Sequence, residues 1–186
     1  MGKIGKRVVY YSLSFLLSIF LVFLMFELYS YIYLPAPAIV TQIAYLFFAN
    51  GIYTNISFFN QLHLIIYGLP GAGGNNYYIA AFALSATISL ISIYLGEMIT
   101  AKLYKSNKNL KPDKSQSYKI IKFILAFILT YLSLELSYWI TSYLVFGWNP
   151  VIYDPSENIA YSIVLIFIAY ISLLISQKLV NGHDGI

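Results

Sequence analysis

The 186-residue chain contains no cysteine, which excludes disulfides, thiol nucleophiles, thiolate metal sites and iron–sulfur clusters built from its own residues. Charge is also scarce. Only 10% of the residues are charged, against about 25% in a soluble domain, too few to build a water-facing surface. Arg7 is the single arginine, and the two histidines, His63 and His183, lie far apart in sequence, His183 in the polar tail NGHDGI. A haem held between two histidines on facing helices is therefore not expected. The glycine-rich stretch LPGAGGNN is not followed by the GK[ST] of a phosphate-binding loop and reads as a hinge leading into a helix. No serine triad or dedicated metal site is spelled out, and no cofactor or metal is expected.

What fills the chain is apolar: hydrophobic residues make up 60% of it, with a mean hydropathy of +0.74. The bilayer must be its main solvent. Four apolar runs reach the roughly 20 residues that a bilayer demands, at about 8–33, 77–103, 120–146 and 159–179. The first follows Lys3, Lys6 and Arg7 and competes with a secretory signal peptide, since Ala36-Pro37-Ala38 offers cleavage-like small residues. A signal core spans about 7–15 apolar residues, and this run is far longer and contains Glu27, so an uncleaved helix is expected. The last run opens with Pro155-Ser156-Glu157, where Ser156 reads as a helix cap and Glu157 favours the positive helix start. The fold class expected is an all-α integral membrane protein. Residues 1–186 form one membrane domain, a bundle of about four transmembrane helices with one or two short interfacial helices in the first outer loop.

Lysine and arginine fix the expected orientation. The head holds three, the stretch Lys102 to Lys122 holds seven and the tail holds Lys178, while segments 35–76 and 147–158 hold none. Under the positive-inside rule both termini and the loop 104–119 are cytoplasmic, and the destination is the cell membrane. The basic loop reads as a solvated connector that anchors two helix ends at anionic headgroups, not as a nucleic-acid surface, for which it lacks a scaffold.

Segment 35–76 has no acidic or basic side chain yet is rich in aromatic and aliphatic residues, too apolar for an exposed loop. Ala38 to Ala49 reads as a short interfacial helix closed by Asn50-Gly51, and Ile52 to Gly68 is ambiguous between helix and extended chain. His63 reads as an interfacial histidine. Asn55-Ile56-Ser57 is a glycosylation sequon on the expected outer side.

Ionisable residues within a span are functional hypotheses by default. Glu27 and Glu135 lie about 19 and 15 residues from the cytoplasmic starts of their helices, roughly 28 and 22 Å deep at 1.5 Å per residue. Both fall in the outer half of the bilayer and are candidates for one shared site. Tyr131 and Tyr138 share the face of Glu135 at i−4 and i+3, and a protonated carboxyl hydrogen-bonded to Tyr131 or Tyr138 is the structural alternative to a functional site. Glu27, followed by Tyr29, Tyr31 and Tyr33, also reads as a carboxyl snorkelling into an aromatic belt, and Glu97 as an inner-interface residue near the basic loop. Small residues recur along the second run (Ala81, Ser85, Ser89, Ser92, Gly96) and the fourth (Ser162, Ala169, Ser172, Ser176), a spacing that lets helix backbones approach closely.

The amphipathic outer segment leading into GNNYYIAAFALSATISL resembles membrane transpeptidases of the exosortase and archaeosortase type. Those enzymes work through a cysteine with arginine and histidine partners, and a chain with no cysteine and only Arg7 departs from them at the chemistry. Enzyme is thus the weakest class. The expectation is a non-catalytic subunit or accessory component of a larger membrane complex, with the bilayer and other membrane chains as partners. The alternative is a small proton- or cation-responsive transporter or channel working through its buried carboxylates.

Overall fold

The computed structural model describes residues 3–33, 38–39, 50–67, 75–106, 116–146 and 155–182. They form five long helices: α1 (Lys3–Tyr33), α2 (Asn50–Tyr67), α3 (Asn75–Ser106), α4 (Gln116–Phe146) and α5 (Pro155–Gly182). All but α2 contain a stretch long and apolar enough to cross a membrane, namely Ile4–Leu28, Tyr77–Lys105, Gln116–Ile140 and Asn158–Asn181. The chain is all-helical and, by these four segments, a multi-pass membrane protein.

Breakers in the sequence account for most helix ends. α1 stops before Pro35 and Pro37, α2 before Gly68 and Pro70, and α4 before Gly147 and Pro150. α5 starts on Pro155, whose fixed φ and missing N–H suit a first helical position. Ser156, expected as the cap, therefore lies inside the first turn. The helices also outrun the apolar runs on the basic side, where α3 continues to Ser106 and α4 begins at Gln116, so both ends of the expected loop 104–119 are helical. An apolar run measures hydrocarbon thickness, whereas lysine and tyrosine carry a helix on into the headgroup layer.

The largest correction concerns the outer segment. Asn50 and Gly51, expected to close a helix, are themselves helical, and the ambiguous stretch after them is helix as far as Tyr67. A glycine inside a helix costs about 1 kcal/mol relative to alanine, and burial of Ile52 beside it and Asn55 one turn further on offsets it. Ala38 and Ile39 are helical; residues 40–49 of the expected interfacial helix, and the hinge at 71–74, lie outside the described residues.

α3 packs most extensively on α4, and α1 on α5. α3 and α5 also meet across the middle, which leaves α1 and α4 at opposite corners with no contact between their backbones. α2 rests on α3, α4 and α5 and touches α1 through side chains alone, with the rings of Tyr53 and Phe26 6.1 Å apart. Around it gathers one core, including Val22, Ile52, Phe82, Leu134, Tyr161 and Leu165. Towards the basic ends a second core forms from Ile93, Ala126, Ile166 and Ala169.

The small-residue stripes face inward: Ala81, Ser85, Ser89, Ser92, Ser162, Ala169, Ser172 and Ser176 are all buried. Several hydroxyls bond a carbonyl one turn back, Ser89 to Ser85 at 3.0 Å, Ser162 to Asn158 at 2.6 Å and Ser172 to Ile168 at 2.8 Å, so they need no partner on a neighbouring helix. At Gly96 the approach is closest. A Cβ there would stand 3.1 Å from both the Ala126 nitrogen and the Lys122 carbonyl oxygen of α4.

Candidate functional site

The polar residues that matter lie where α2 enters the bundle. Ser85 of α3 points to the interior because Ala81 and Ser89, one turn away on each side, are small enough to let α2 and α5 close in. The Asn55 amide donates to Ser85 Oγ at 3.0 Å, and the Tyr161 hydroxyl lies 2.9 Å from the same oxygen. Asn55 and Ser85 are fully buried and Tyr161 is 2% exposed. Three helices thus meet on one serine.

Asn158, one turn before Tyr161 on α5, carries the chain of contacts to α4. Its amide donates to Glu135 Oε1 at 3.3 Å, and the Tyr131 hydroxyl bonds the same carboxylate. Glu135 is half-buried at the α4–α5 seam, with Tyr131 one turn before it on α4. Tyr138 stands on the same face, with its ring edge-on to Trp139 at 6.0 Å.

Glu27 is elsewhere. It lines an open groove of ≈ 640 Å³ between α1 and α3, together with Leu16, Phe20, Phe23, Tyr78 and Phe82. Because α1 and α4 occupy opposite corners, the structure does not bring Glu27 and Glu135 together; each carboxylate belongs to a different seam. Equal depth along two helices says nothing about whether those helices are neighbours.

The sequon is also recast. The Asn55 side-chain nitrogen, the atom a glycan would occupy, is buried and bonded to Ser85, so a glycan there is incompatible with this packing. His63 is half-buried between aromatic rings, 4.6 Å from Tyr67 and 6.3 Å from Tyr77, and helps hold α2 on α3. Glu97 meets Lys122 at 2.8 Å near the basic end, where the ammonium also lies 5.8 Å from the centre of the Tyr170 ring. With the glutamate side chain 55% exposed, that pair is worth no more than about 1 kcal/mol.

Two of the junction residues, Asn55 and Ser85, drew other readings from the sequence, and Asn158 and Tyr161 drew none. The available signal was the i, i+3 pair of a carboxamide and a phenol at the start of an apolar run, where polar side chains at membrane depth seek partners. Chemically, Ser85 meets an amide and a phenol, neither a general base at neutral pH, so the trio holds helices without activating a nucleophile. Among the described residues no three His, Asp or Glu side chains come together as a metal site would need. Compared with known proteins, the chain matches no family model, no curated protein and no solved structure.

Proposed function

We propose that this chain is a non-catalytic subunit or accessory component of a larger membrane assembly, carried in the cell membrane with both termini cytoplasmic. The observation that supports this best is the groove between α1 and α3. It runs from Leu16 to Glu27, eleven residues or roughly 16 Å of helix, with an apolar wall and a carboxyl at one end. Those are the dimensions and chemistry of a seat for a transmembrane helix of another chain. The interior polar groups, by contrast, join this chain's own helices.

Purification in mild detergent tests the reading. A defined membrane chain should co-purify with the wild-type protein and be lost from a Phe20→Ala/Phe23→Ala variant that is still folded. Recovery as a monomer across several gentle detergents, or a partner that ignores the groove variant, counts against it. Orientation is tested separately on the cysteine-free background. Cysteine placed at Lys108 should resist an impermeant thiol reagent in intact cells, while cysteine placed at Asp154 should react; the reverse pattern inverts the topology.

One observation favours a second reading, a small proton- or cation-responsive transporter or channel. Glu135 is a carboxylate within a span, held by Asn158 and Tyr131 at a helix seam, and intramembrane carboxylates commonly mark ion pathways. In liposomes, wild-type protein should then move protons or cations with a pH dependence that Glu135→Gln abolishes. Identical behaviour of the two proteins at every pH makes the carboxylate structural.

A further inference from the structure

At the opposite end from α2, the first turns of α1 and the last turns of α5 enclose a groove of ≈ 380 Å³ lined by Lys6, Arg7, Tyr10, Tyr11, Gln177 and Asn181, with Val180 beside them. Its origin is legible in the side chains. Deeper in the membrane the seam between α1 and α5 carries Ser14 and Ser18 on one side and Ser172 and Ser176 on the other, all fully buried, and the helices close on each other. Towards the basic end tyrosine, glutamine and asparagine replace the serines. Larger side chains hold the helices apart there, and a polar groove opens.

The lining has one chemical character. An ammonium, a guanidinium, two phenols and two carboxamides converge, and among the described residues no carboxylate lines the groove. The nearby acid on α3, Glu97, is held by Lys122 at 2.8 Å. Such a donor set matches a phosphate group, for which guanidinium gives paired hydrogen bonds and lysine a point charge. The level is also right. Lys6 and Arg7 sit within the first turn of the apolar segment Ile4–Leu28, from which long side chains snorkel to the headgroups, and Tyr10 and Tyr11 follow at the depth of an aromatic belt. Exposed Val8 and Leu179 flank the groove on the lipid side.

We propose that this groove is a phosphate site that takes the headgroup of an anionic phospholipid from the adjoining leaflet, and that the bound lipid clamps α1 to α5. A basic pocket between helix ends recognises such headgroups by charge and by a fixed set of donors, which a smooth basic surface lacks.

Full-length protein in phosphatidylcholine nanodiscs, with and without phosphatidylglycerol, gives the test, read by lipid retained in native mass spectrometry and by unfolding temperature. Phosphatidylglycerol should be retained and should raise the unfolding temperature of the wild type. Lys6→Gln/Arg7→Gln should weaken retention about thirty-fold, at about five-fold per charge. Lys102→Gln/Lys105→Gln, which removes the same charge from the end of α3, should leave it near the wild-type level. Gln177→Leu/Asn181→Leu changes no charge and should also weaken retention, which keeps the test decisive if the Arg7 variant misfolds. Equal losses from the α1 and α3 charge variants, or full retention in the Gln177/Asn181 variant, would reduce the effect to general surface attraction and overturn the site. If inorganic phosphate alone reproduces the stabilisation, the ligand is a free anion and the lipid assignment fails.

Discussion

Truncating Tyr161 to alanine is expected to destabilise the purified bundle by about 3–5 kcal/mol, the cost of emptying a large aromatic side chain from a packed core. Tyr161 is 2% exposed and packs in the core that joins α1, α2, α3, α4 and α5, so no single helix can relax into the space it leaves. Its removal also takes one of the two hydrogen-bond partners from Ser85 Oγ. Tyr161→Phe separates the two contributions. It keeps the ring and deletes the hydroxyl, and should cost about 1 kcal/mol, in the range of interhelical hydrogen bonds measured in membranes. Unfolding in mixed micelles with rising denaturing detergent, followed by tryptophan fluorescence or helicity, gives both numbers. If the phenylalanine variant falls as far as the alanine variant, the hydroxyl dominates and the packing account is wrong.

Gly96→Ala should cost about 1–3 kcal/mol, the usual penalty for overfilling a tight contact. A methyl group at this position would stand 3.1 Å from the Ala126 nitrogen and 3.1 Å from the Lys122 carbonyl oxygen, both backbone atoms of α4 that cannot swing aside as a side chain can. α3 and α4 would have to separate along their most extensive interface. Valine, with two more carbons, should do worse and displace the Glu97–Lys122 pair beside it. The origin of the strain makes a sharper demand: adding Ala126→Gly should fail to rescue Gly96→Ala, because the obstruction is the helix backbone and not the alanine methyl. Rescue in that double variant would show the contact to be a side-chain clash and the close backbone approach to be unimportant.

How much of this was legible in the sequence depends on what each signal measures. The four membrane-crossing segments were, because the hydrocarbon core demands a length of apolar chain that can be counted. The inward stripes were too, since Ser85, Ser89, Ser92 and Gly96 repeat at the helical period and only small residues permit the close approach observed. The expected meeting of Glu27 with Glu135 failed for a definable reason. Rise per residue places a side chain along its own axis, but adjacency is decided by which helices share a seam, and here α3 and α5 meet between α1 and α4. α2 was missed for another reason. Its sequence mixes Asn55, Asn60 and His63 with isoleucine and phenylalanine, too polar for a crossing helix and too apolar for a loop, and its helicity follows from a seat made by three other helices. Asn55 shows the ambiguity most plainly, since the same three letters encode a surface sequon or, as here, the anchor of a buried helix.

The seat of α2 has a consequence for how the protein is made. Asn55 binds a serine 30 residues downstream, and that serine binds a tyrosine 76 residues further on. During synthesis α2 emerges before α3, yet the surface it docks on is incomplete until α5 has entered the membrane. For that interval its amide and imidazole groups have no place in lipid, and they must wait at the headgroup layer or in the shelter of the insertion machinery. α5 therefore acts as a latch, and the bundle matures only once that helix is in place.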